Sequence, residues 1–292
     1  YKLPVYEIEF NQGNINFLNN LVESIKNTNQ TYYKDDYILP EHPNDYNEIS
    51  RINFYHNSEE YNAKVKIHGR SEEHYIDPKK SYAVRFNKNK LFENMREIAF
   101  IILDEADVTS LMSYMLLEKY SNLKIENGFA RVKINGVDQG VYFFEEKIRK
   151  EVLEKNNLLG NDIIQPYASW TNQTNETHTH DFTFNIASTN LKNYSQLNNG
   201  QLLRYEKLVN SNKYQDLVNL VDIDKFAIFE AMRMLHADKH VVDGDNLKLI
   251  YDNATGIFSP FYRSESVIGS IEDFQSFKTL TYEKLSKDIP IF

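Results

Sequence analysis

Ala63-Lys-Val-Lys-Ile67 and Ser81-Tyr-Ala-Val-Arg-Phe86 alternate apolar and polar side chains, and the prediction of the fold starts from them. A period of two residues is typical of a strand with one buried face. The same period recurs in Tyr6–Phe10 and Ile52–Phe54. We therefore predict successive strands of an antiparallel sheet. The basic residues of these strands are expected on or near the solvent face of the sheet: Lys64, Lys66 and Arg85.

A hairpin and several helices complete the predicted fold. Ala130–Ile134 and Val141–Phe144 flank a Gly-containing turn, which indicates a β-hairpin. Apolar spacing and composition predict the remaining parts: a short helix over 16–25, a helix starting at 107–110, a charged helix over 145–157, a polar connector over 167–199, a buried helix over 223–235 and a late hairpin over 247–258. This order favours an α+β protein with a sheet-rich N-terminal lobe over residues 1–150 and a helix-rich C-terminal lobe over residues 151–292.

The composition excludes several classes of protein. The 292 residues contain 33 Lys and Arg against 42 Asp and Glu, a net charge of −9, which argues against a general nucleic-acid binder. Cys is absent, so disulfides, Cys-ligated zinc and thiol nucleophiles are excluded. No apolar run approaches the roughly 18 residues of a membrane helix. The chain starts at Tyr1 without a signal-peptide pattern, and we expect a mature or shortened domain of a longer protein.

A basic cluster stands out in the predicted sheet. Ile67-His-Gly-Arg70 is followed by Asp77-Pro-Lys-Lys-Ser-Tyr82, which gives an Arg and two Lys next to adjacent strands. Such a local positive site suits a polyphosphate. From spacing alone, a solvated strand face with a turn is the favoured interpretation, because a run of charges usually marks only a solvent-exposed surface. No Walker loop, Gly-x-Gly-x-x-Gly fingerprint or Gly-x-Ser-x-Gly elbow occurs, so P-loop, Rossmann and esterase functions have no support.

A polar cluster lies between the buried helix and the late hairpin. It consists of His236-Ala-Asp-Lys-His240 followed by Asp243, Asp245 and Asn246. Its oxygen ligands suit Mg²⁺ or Mn²⁺ carrying phosphates, whereas a plain turn with a capping histidine remains an alternative. A zinc hydrolase is disfavoured because Ala237 stands where the metalloprotease motif needs Glu.

Taken in order, these motifs resemble the CotH family, the atypical kinases named after spore coat protein H. The matching pieces are Val65-Lys-Ile-His-Gly-Arg70, Lys79-Lys-Ser-Tyr-Ala-Val-Arg-Phe86, Arg96-Glu-Ile98, Val132-Lys-Ile-Asn-Gly136, Gly140-Val-Tyr-Phe-Phe-Glu-Glu146, Asp238, Asp245-Asn-Leu-Lys-Leu-Ile-Tyr-Asp252 and Gly256-Ile-Phe-Ser-Pro260. The resemblance implies a two-lobed protein-kinase-like fold that binds ATP and Mg²⁺ or Mn²⁺ between its lobes. It also implies γ-phosphoryl transfer to Ser of a surface or coat protein, and an exported, cell-surface or spore-coat location.

The resemblance also implies roles for individual residues. Lys80 would hold the nucleotide phosphates with help from Arg70, and Glu146 would orient Lys80 or line the nucleotide cleft. Asp238 would be the catalytic residue that accepts or directs the hydroxyl proton. Asn246 would help to hold the metal ion.

The sequence departs from the family pattern after the late hairpin, where an Asp that binds metal is expected. The chain reads Pro260-Phe-Tyr-Arg-Ser264-Glu265, with Ser264 at the expected position. A neutral hydroxyl is a weaker Mg²⁺ ligand than a carboxylate. Glu265 could supply the missing carboxylate after a shift of one residue. The alternative is a catalytically degenerate member of the family that serves as a binding module, either an adhesin or a scaffold.

Overall fold

The structure is a computed structural model that describes residues 2–32, 49–69, 74–75, 79–103, 108–121, 123–169, 181–186, 200, 204, 207, 218–235 and 248–261. It confirms an α+β protein with a sheet-rich part. Two compact units account for the chain. The first unit covers residues 1–107, 125–151 and 170–178, and the second covers 108–124, 152–169 and 179–292. The lobe boundary at residue 150 stays a prediction.

A closed seven-stranded barrel forms the first unit, in the order β1-β2-β3-β4-β5-β7-β6. Its strands are β1 (Val5–Glu9), β2 (Ile49–His56), β3 (Glu59–Ile67), β4 (Tyr82–Phe86), β5 (Glu97–Ile101), β6 (Asn127–Ile134) and β7 (Val137–Glu146). Neighbouring strands are antiparallel except β1 and β6, which pair in parallel and close the barrel. The sequence predicted strands at β1, β2, β3 and β4 and the β6–β7 hairpin, but neither β5 nor this closure.

The barrel interior is filled by apolar side chains from the inner faces of its strands. Val65 and Val84 are fully buried opposite one another on β3 and β4, and Phe54 and Phe100 are fully buried on β2 and β5. Phe54 packs edge-on against Phe86 with ring centroids 5.0 Å apart. Aromatic pairs of this kind add about 0.5–1.5 kcal/mol each beyond the area that they bury. The interior is therefore a packed core.

The helix α1 (Gln12–Tyr32) follows β1 and covers the barrel with Leu18, Leu21 and Val22. It starts where the side chain of Asn11 accepts a hydrogen bond from the backbone N–H of Asn14 at 2.9 Å, which is an N-cap. The prediction of a short helix over 16–25 was right in type and too short at both ends.

The hairpin of β6 and β7 turns at Asn135 and Gly136. Both residues have positive φ, 49° and 78°, as a two-residue hairpin turn of the mirror-image type requires. β7 continues to Glu146, and the helix α3 spans only Lys150–Lys155. The predicted charged helix over 145–157 was therefore wrong in its first residues, because Glu145 and Glu146 pair with Ala99 and Ile98 of β5.

The second unit combines helices with a sheet of the order β11-β10-β8-β9. Its elements are α2 (Val108–Ser121), β8 (Asp162–Ser169), β9 (Asp181–Ile186), α4 (Ile223–Leu235), β10 (Lys248–Tyr251) and β11 (Phe258–Phe261). The late hairpin and the buried helix are confirmed. β9 and the end of β8 lie in the predicted polar connector, so that prediction was wrong for these strands. The helix-rich character of the lobe stays a prediction.

Candidate functional site

Lys79 and Lys80 lie just before β4, at one end of the barrel. Both side chains are half-buried. Next to them, the register places Ile67 of β3 opposite Tyr82 of β4, and Tyr82 opposite Phe100 of β5. Lys80 therefore lies at the edge of a packed core, and its position depends on the contacts of its neighbours.

Lys79 is anchored to β7. Its Nζ donates a hydrogen bond to the carbonyl oxygen of Val141 at 2.5 Å and lies 4.4 Å from the centroid of the Tyr142 ring. A cation over an aromatic face within about 6 Å is attracted by the ring. Burial, followed by the nearby Tyr82, raises the pKa of the Tyr142 hydroxyl far above its ordinary value. Tyr142 is therefore neutral, and Lys79 interacts with the face of its ring.

Ser81 is anchored on the other side of Lys80. It is fully buried, and its backbone N–H donates to the carbonyl oxygen of His74 at 2.9 Å. Its hydroxyl oxygen lies 2.8 Å from Nδ1 of His74 and accepts a hydrogen bond from the backbone N–H of Ile102 at 3.1 Å. The backbone N–H of His68 donates to the carbonyl oxygen of Ser81 at 3.0 Å, which extends the β3–β4 ladder.

Gly69 makes room for the ring of His74. Its φ is +86°, and a Cβ atom built there would lie 1.9 Å from Cδ2 of His74. No side chain fits between the two residues, and the left-handed backbone independently favours glycine. The glycine at position 69 is thus explained by the close approach of the His74 ring to the backbone.

Glu146 lies on the inner face of the barrel near the end of β7. Its side chain is 2% exposed, and its Oε2 accepts a hydrogen bond from the backbone N–H of Glu126 at 3.4 Å. The register sets Glu146 opposite Ile98, which in turn is opposite Val84. Val84 is four residues beyond Lys80, about 13 Å along a regular strand and two strand spacings away from Glu146. The strand pairing therefore does not bring Glu146 level with Lys80.

The buried carboxylate of Glu97 binds two arginines on the outer face of the same strands. Its Oε2 accepts hydrogen bonds from Nε of Arg85 at 2.8 Å and from Nη2 of Arg149 at 2.7 Å. Burial alone would raise the pKa of Glu97, but the charges of Arg149 and Arg85 and the bond from Arg85 hold it below its ordinary value. Sequence reasoning gave Glu97 no role. The alternation in β5 could have placed it next to Arg85, but not next to Arg149.

Most of the predicted site residues lie outside the described residues: Arg70, Asp238, Asn246 and Glu265. The same holds for Ser264, which stands where a metal-binding Asp was expected. Lys80 and Glu146 are the predicted site residues within the described ranges. In those ranges, no three His, Asp or Glu side chains form a group that could hold a metal ion. The structure therefore describes the surroundings of Lys80 and Glu146, and the roles of all the predicted site residues stay predictions.

A comparison with models of protein families decides the relationship. The model described as CotH kinase protein matches residues 65–259, from within β3 to within β11 and about two thirds of the chain. The chain belongs to the CotH family. CotH membership associates the protein with kinase-like modules and with the spore coat. Comparison with curated proteins gives no match.

Among the helices of the described residues, none combines the length and apolar composition of a membrane span. Lys79, Lys80 and Glu146 all fall inside the matched range, as do Asp238 and Asn246. Glu265 and Ser264 lie just beyond it.

Proposed function

We propose that this CotH-family protein binds ATP with Mg²⁺ or Mn²⁺ and transfers the γ-phosphoryl group to Ser of a protein partner. The observation that carries the proposal is the anchoring of Lys80, whose neighbours Lys79 and Ser81 are both fixed to the barrel. Phosphoryl transfer depends mainly on positioning and on neutralising phosphate charge. A lysine delivered from a fixed backbone meets the first need and supplies part of the second.

Lys80 is the residue proposed to hold the nucleotide phosphates, and Arg70 is proposed to assist it. Lys79 is proposed to anchor this segment, because its ammonium group contacts Val141 and Tyr142. Lysine binds phosphate as a compact point charge, so the orientation of its side chain is not critical. The position of the Lys80 backbone therefore matters more than the rigidity of its side chain. The paired lysines thus have different proposed tasks, anchoring for Lys79 and binding for Lys80.

The remaining chemistry is proposed for residues outside the described ranges. Asp238 takes the hydroxyl proton of the acceptor Ser. The Ser oxygen bonds to the γ-phosphorus while the bond between that phosphorus and the leaving oxygen of ADP breaks. Asn246 and Glu265 offer the amide and carboxylate oxygens that Mg²⁺ and Mn²⁺ prefer. A metal ion held there supplies positive charge next to the phosphates. The two-lobed kinase-like arrangement is part of this proposal.

Glu146 is proposed to line the nucleotide cleft. The register that separates it from the level of Lys80 favours this role over a direct pair between the two side chains. The family association with the spore coat supports a coat or other surface protein as the acceptor, and export of this protein is proposed on the same ground.

Radioactive labelling tests the proposed reaction. Purified protein with γ-labelled ATP and Mn²⁺ or Mg²⁺ is expected to label itself or an added acceptor protein, and Asp238→Asn is expected to abolish the label. Asp138→Asn is the matched control, because Asp138 is an exposed carboxylate of the β6–β7 hairpin. No label from the wild-type protein would contradict the proposed activity, and a fully active Asp238→Asn variant would contradict the role of Asp238.

A second candidate function is a binding module without phosphoryl transfer. Ser264 at the expected position of a metal-binding Asp favours it, since loss of a carboxylate ligand weakens metal binding. If Ser264→Asp created labelling activity in an inactive wild-type protein, the degenerate state would be traced to this residue. If Glu265→Gln abolished the activity of an active wild-type protein, Glu265 would be the substitute ligand.

A further inference from the structure

Ser81 is held by three separate segments of the chain. His74 contacts it twice, through the backbone hydrogen bond of 2.9 Å and through Nδ1 at 2.8 Å from the hydroxyl oxygen. His68 and Ile102 each contribute a further backbone N–H. Because Ser81 is fully buried, its hydroxyl group has no access to solvent that could replace any of these partners.

The contact between His74 and Ser81 involves a buried hydroxyl. Nδ1 of His74 lies 2.8 Å from the hydroxyl oxygen of Ser81, which also accepts the backbone N–H of Ile102 at 3.1 Å. The tautomer of His74 sets which of the two groups donates the proton. In either direction, Nδ1 is a hydrogen-bond partner of the hydroxyl.

The contacts of Lys79 and Ser81 restrain the backbone of Lys80, which lies between them. Lys79 is tied to Val141 and the Tyr142 ring, and Ser81 is tied to His74. The backbone of Lys80 is restrained on one side by the backbone hydrogen bonds of Ser81 and on the other by the side-chain contacts of Lys79, so it has less freedom to lose when a ligand binds. That entropy cost is then already met by folding, and the cost of ordering Lys80 on binding is reduced.

We propose that His74 is a positioning residue that holds Lys80 toward the nucleotide phosphates through Ser81, an inference that rests on the proposed function. Loss of Nδ1 removes one of the two hydrogen-bond partners of the buried Ser81 hydroxyl, so the segment 79–81 relaxes to find another partner. Lys80 then lies displaced from the phosphates, and small displacements of positioning groups carry large penalties in affinity and rate.

Two substitutions of His74 separate the hydrogen bond made by Nδ1 from the shape of the ring. His74→Phe keeps a ring next to Gly69 and removes the nitrogen. His74→Asn removes the ring and places an amide group, which can accept or donate, close to the position of Nδ1. His56→Phe is the control for loss of a histidine elsewhere in the barrel, because Nδ1 of His56 bonds to the carbonyl oxygen of Val5 and His56 pairs with Glu59, at the opposite end of β3 from Ile67.

The experiment measures the affinity for a fluorescent ATP analogue with Mn²⁺ together with hydrogen exchange of the Ser81 and Ile102 amides. We expect His74→Phe to weaken binding about tenfold or more and to speed exchange at both amides. His74→Asn is expected to stay within about threefold of the wild type, and His56→Phe to bind normally even where its melting temperature falls.

The outcomes distinguish failure of the proposed function from failure of the proposed role of His74. Wild-type protein that does not bind the analogue overturns the proposed function and, with it, the role of Lys80. Wild-type protein that binds, with a His74→Phe variant of equal affinity or equal amide protection, overturns only the role of His74. Equal losses of affinity in His74→Phe and His56→Phe also overturn it, because they would reflect general weakening of the barrel.

Discussion

Single buried residues of the barrel are held by several partners at once. Glu97 accepts hydrogen bonds from Arg85 and Arg149, and Ser81 is bonded by three segments. Such groups are costly to leave unpaired, because burial removes the water that would otherwise solvate them. Substitutions at these residues therefore report directly on the contacts described.

Glu97→Gln is expected to lower the free energy of unfolding by about 2–3 kcal/mol at pH 7, since the two arginines lose a charged acceptor. The pKa of Glu97 is lower in the folded protein than its ordinary 4.5. Its contribution is therefore complete above about pH 4.5 and is lost as the pH falls through the folded pKa. Urea unfolding across this range should show the difference between wild type and variant narrowing in acid.

The exposed Glu118→Gln serves as the control for this titration. The free energy of unfolding of this variant should differ little from that of the wild type, both at pH 7 and in acid. A Glu97→Gln difference that stays constant from neutral pH into acid would contradict the assignment of the effect to the carboxylate charge.

Gly69→Ala is expected to destabilise the barrel by about 2–4 kcal/mol, because it adds both a positive-φ cost and a clash with His74. Gly136→Ala carries a similar φ of +78° but meets no atom closer than 3.9 Å. It should therefore cost only about 1 kcal/mol. Chemical denaturation of both variants measures the difference, and equal losses would show that the His74 ring does not occupy this space.

The β6–β7 hairpin is the element that ties the barrel closed. Asn135 at its turn accepts a hydrogen bond from the backbone N–H of Phe10 at 2.7 Å and donates one to the carbonyl oxygen of Phe10 at 3.0 Å. Its own backbone N–H donates to Ile8 at 3.0 Å. One side chain thus continues the parallel pairing of β1 with β6 past the end of both strands.

Asn135→Ala is expected to lower the free energy of unfolding by about 2–4 kcal/mol, through two lost hydrogen bonds and the poorer tolerance of alanine for positive φ. The control is Asn57→Ala in the β2–β3 turn, which has the same φ of 49° and an exposed side chain. Thermal or urea unfolding compares them. If the control lost as much stability, the backbone strain alone would explain the effect and the link to Phe10 would contribute nothing.

Elements with a clear period were predictable, and long-range pairing was not. Ile223–Leu235 has the predicted bounds because its apolar residues recur at helical spacing and Asp222 caps its start. Glu145 and Glu146 look helical by charge, yet pairing with β5 keeps them in a strand. β9 has the alternating string Asp181–Ile186, which the surrounding polar residues concealed. Barrel closure depends on β1 meeting β6, and nothing in the local pattern specifies that contact.

The candidate site follows the same rule. Local motifs marked Lys80 and the His-Gly pair, because both occur in short recognisable strings. The anchoring by Val141 and His74 depends on residues brought together by the barrel, which a linear pattern does not show. His74 in particular carries no signal of its own, and a buried histidine becomes informative only when its partner is known.

At the scale of the whole molecule, the CotH match extends over both compact units. The first unit contributes a closed barrel that presents Lys80, and the second contains the stretch with Asp238 and Asn246. The central claim is that Lys80 binds the phosphates of ATP in the presence of a divalent cation. A protein whose stability is raised by a ligand must bind that ligand in its folded state.

Calorimetric titration of ATP with Mn²⁺ into the wild-type protein and a Lys80→Met variant tests this claim most directly. We predict saturable binding to the wild type and at least a tenfold loss of affinity in Lys80→Met, while Lys64→Met on the outer face of β3 leaves binding unchanged. Binding that is absent from the wild type, or equal in the wild type and Lys80→Met, would contradict the account.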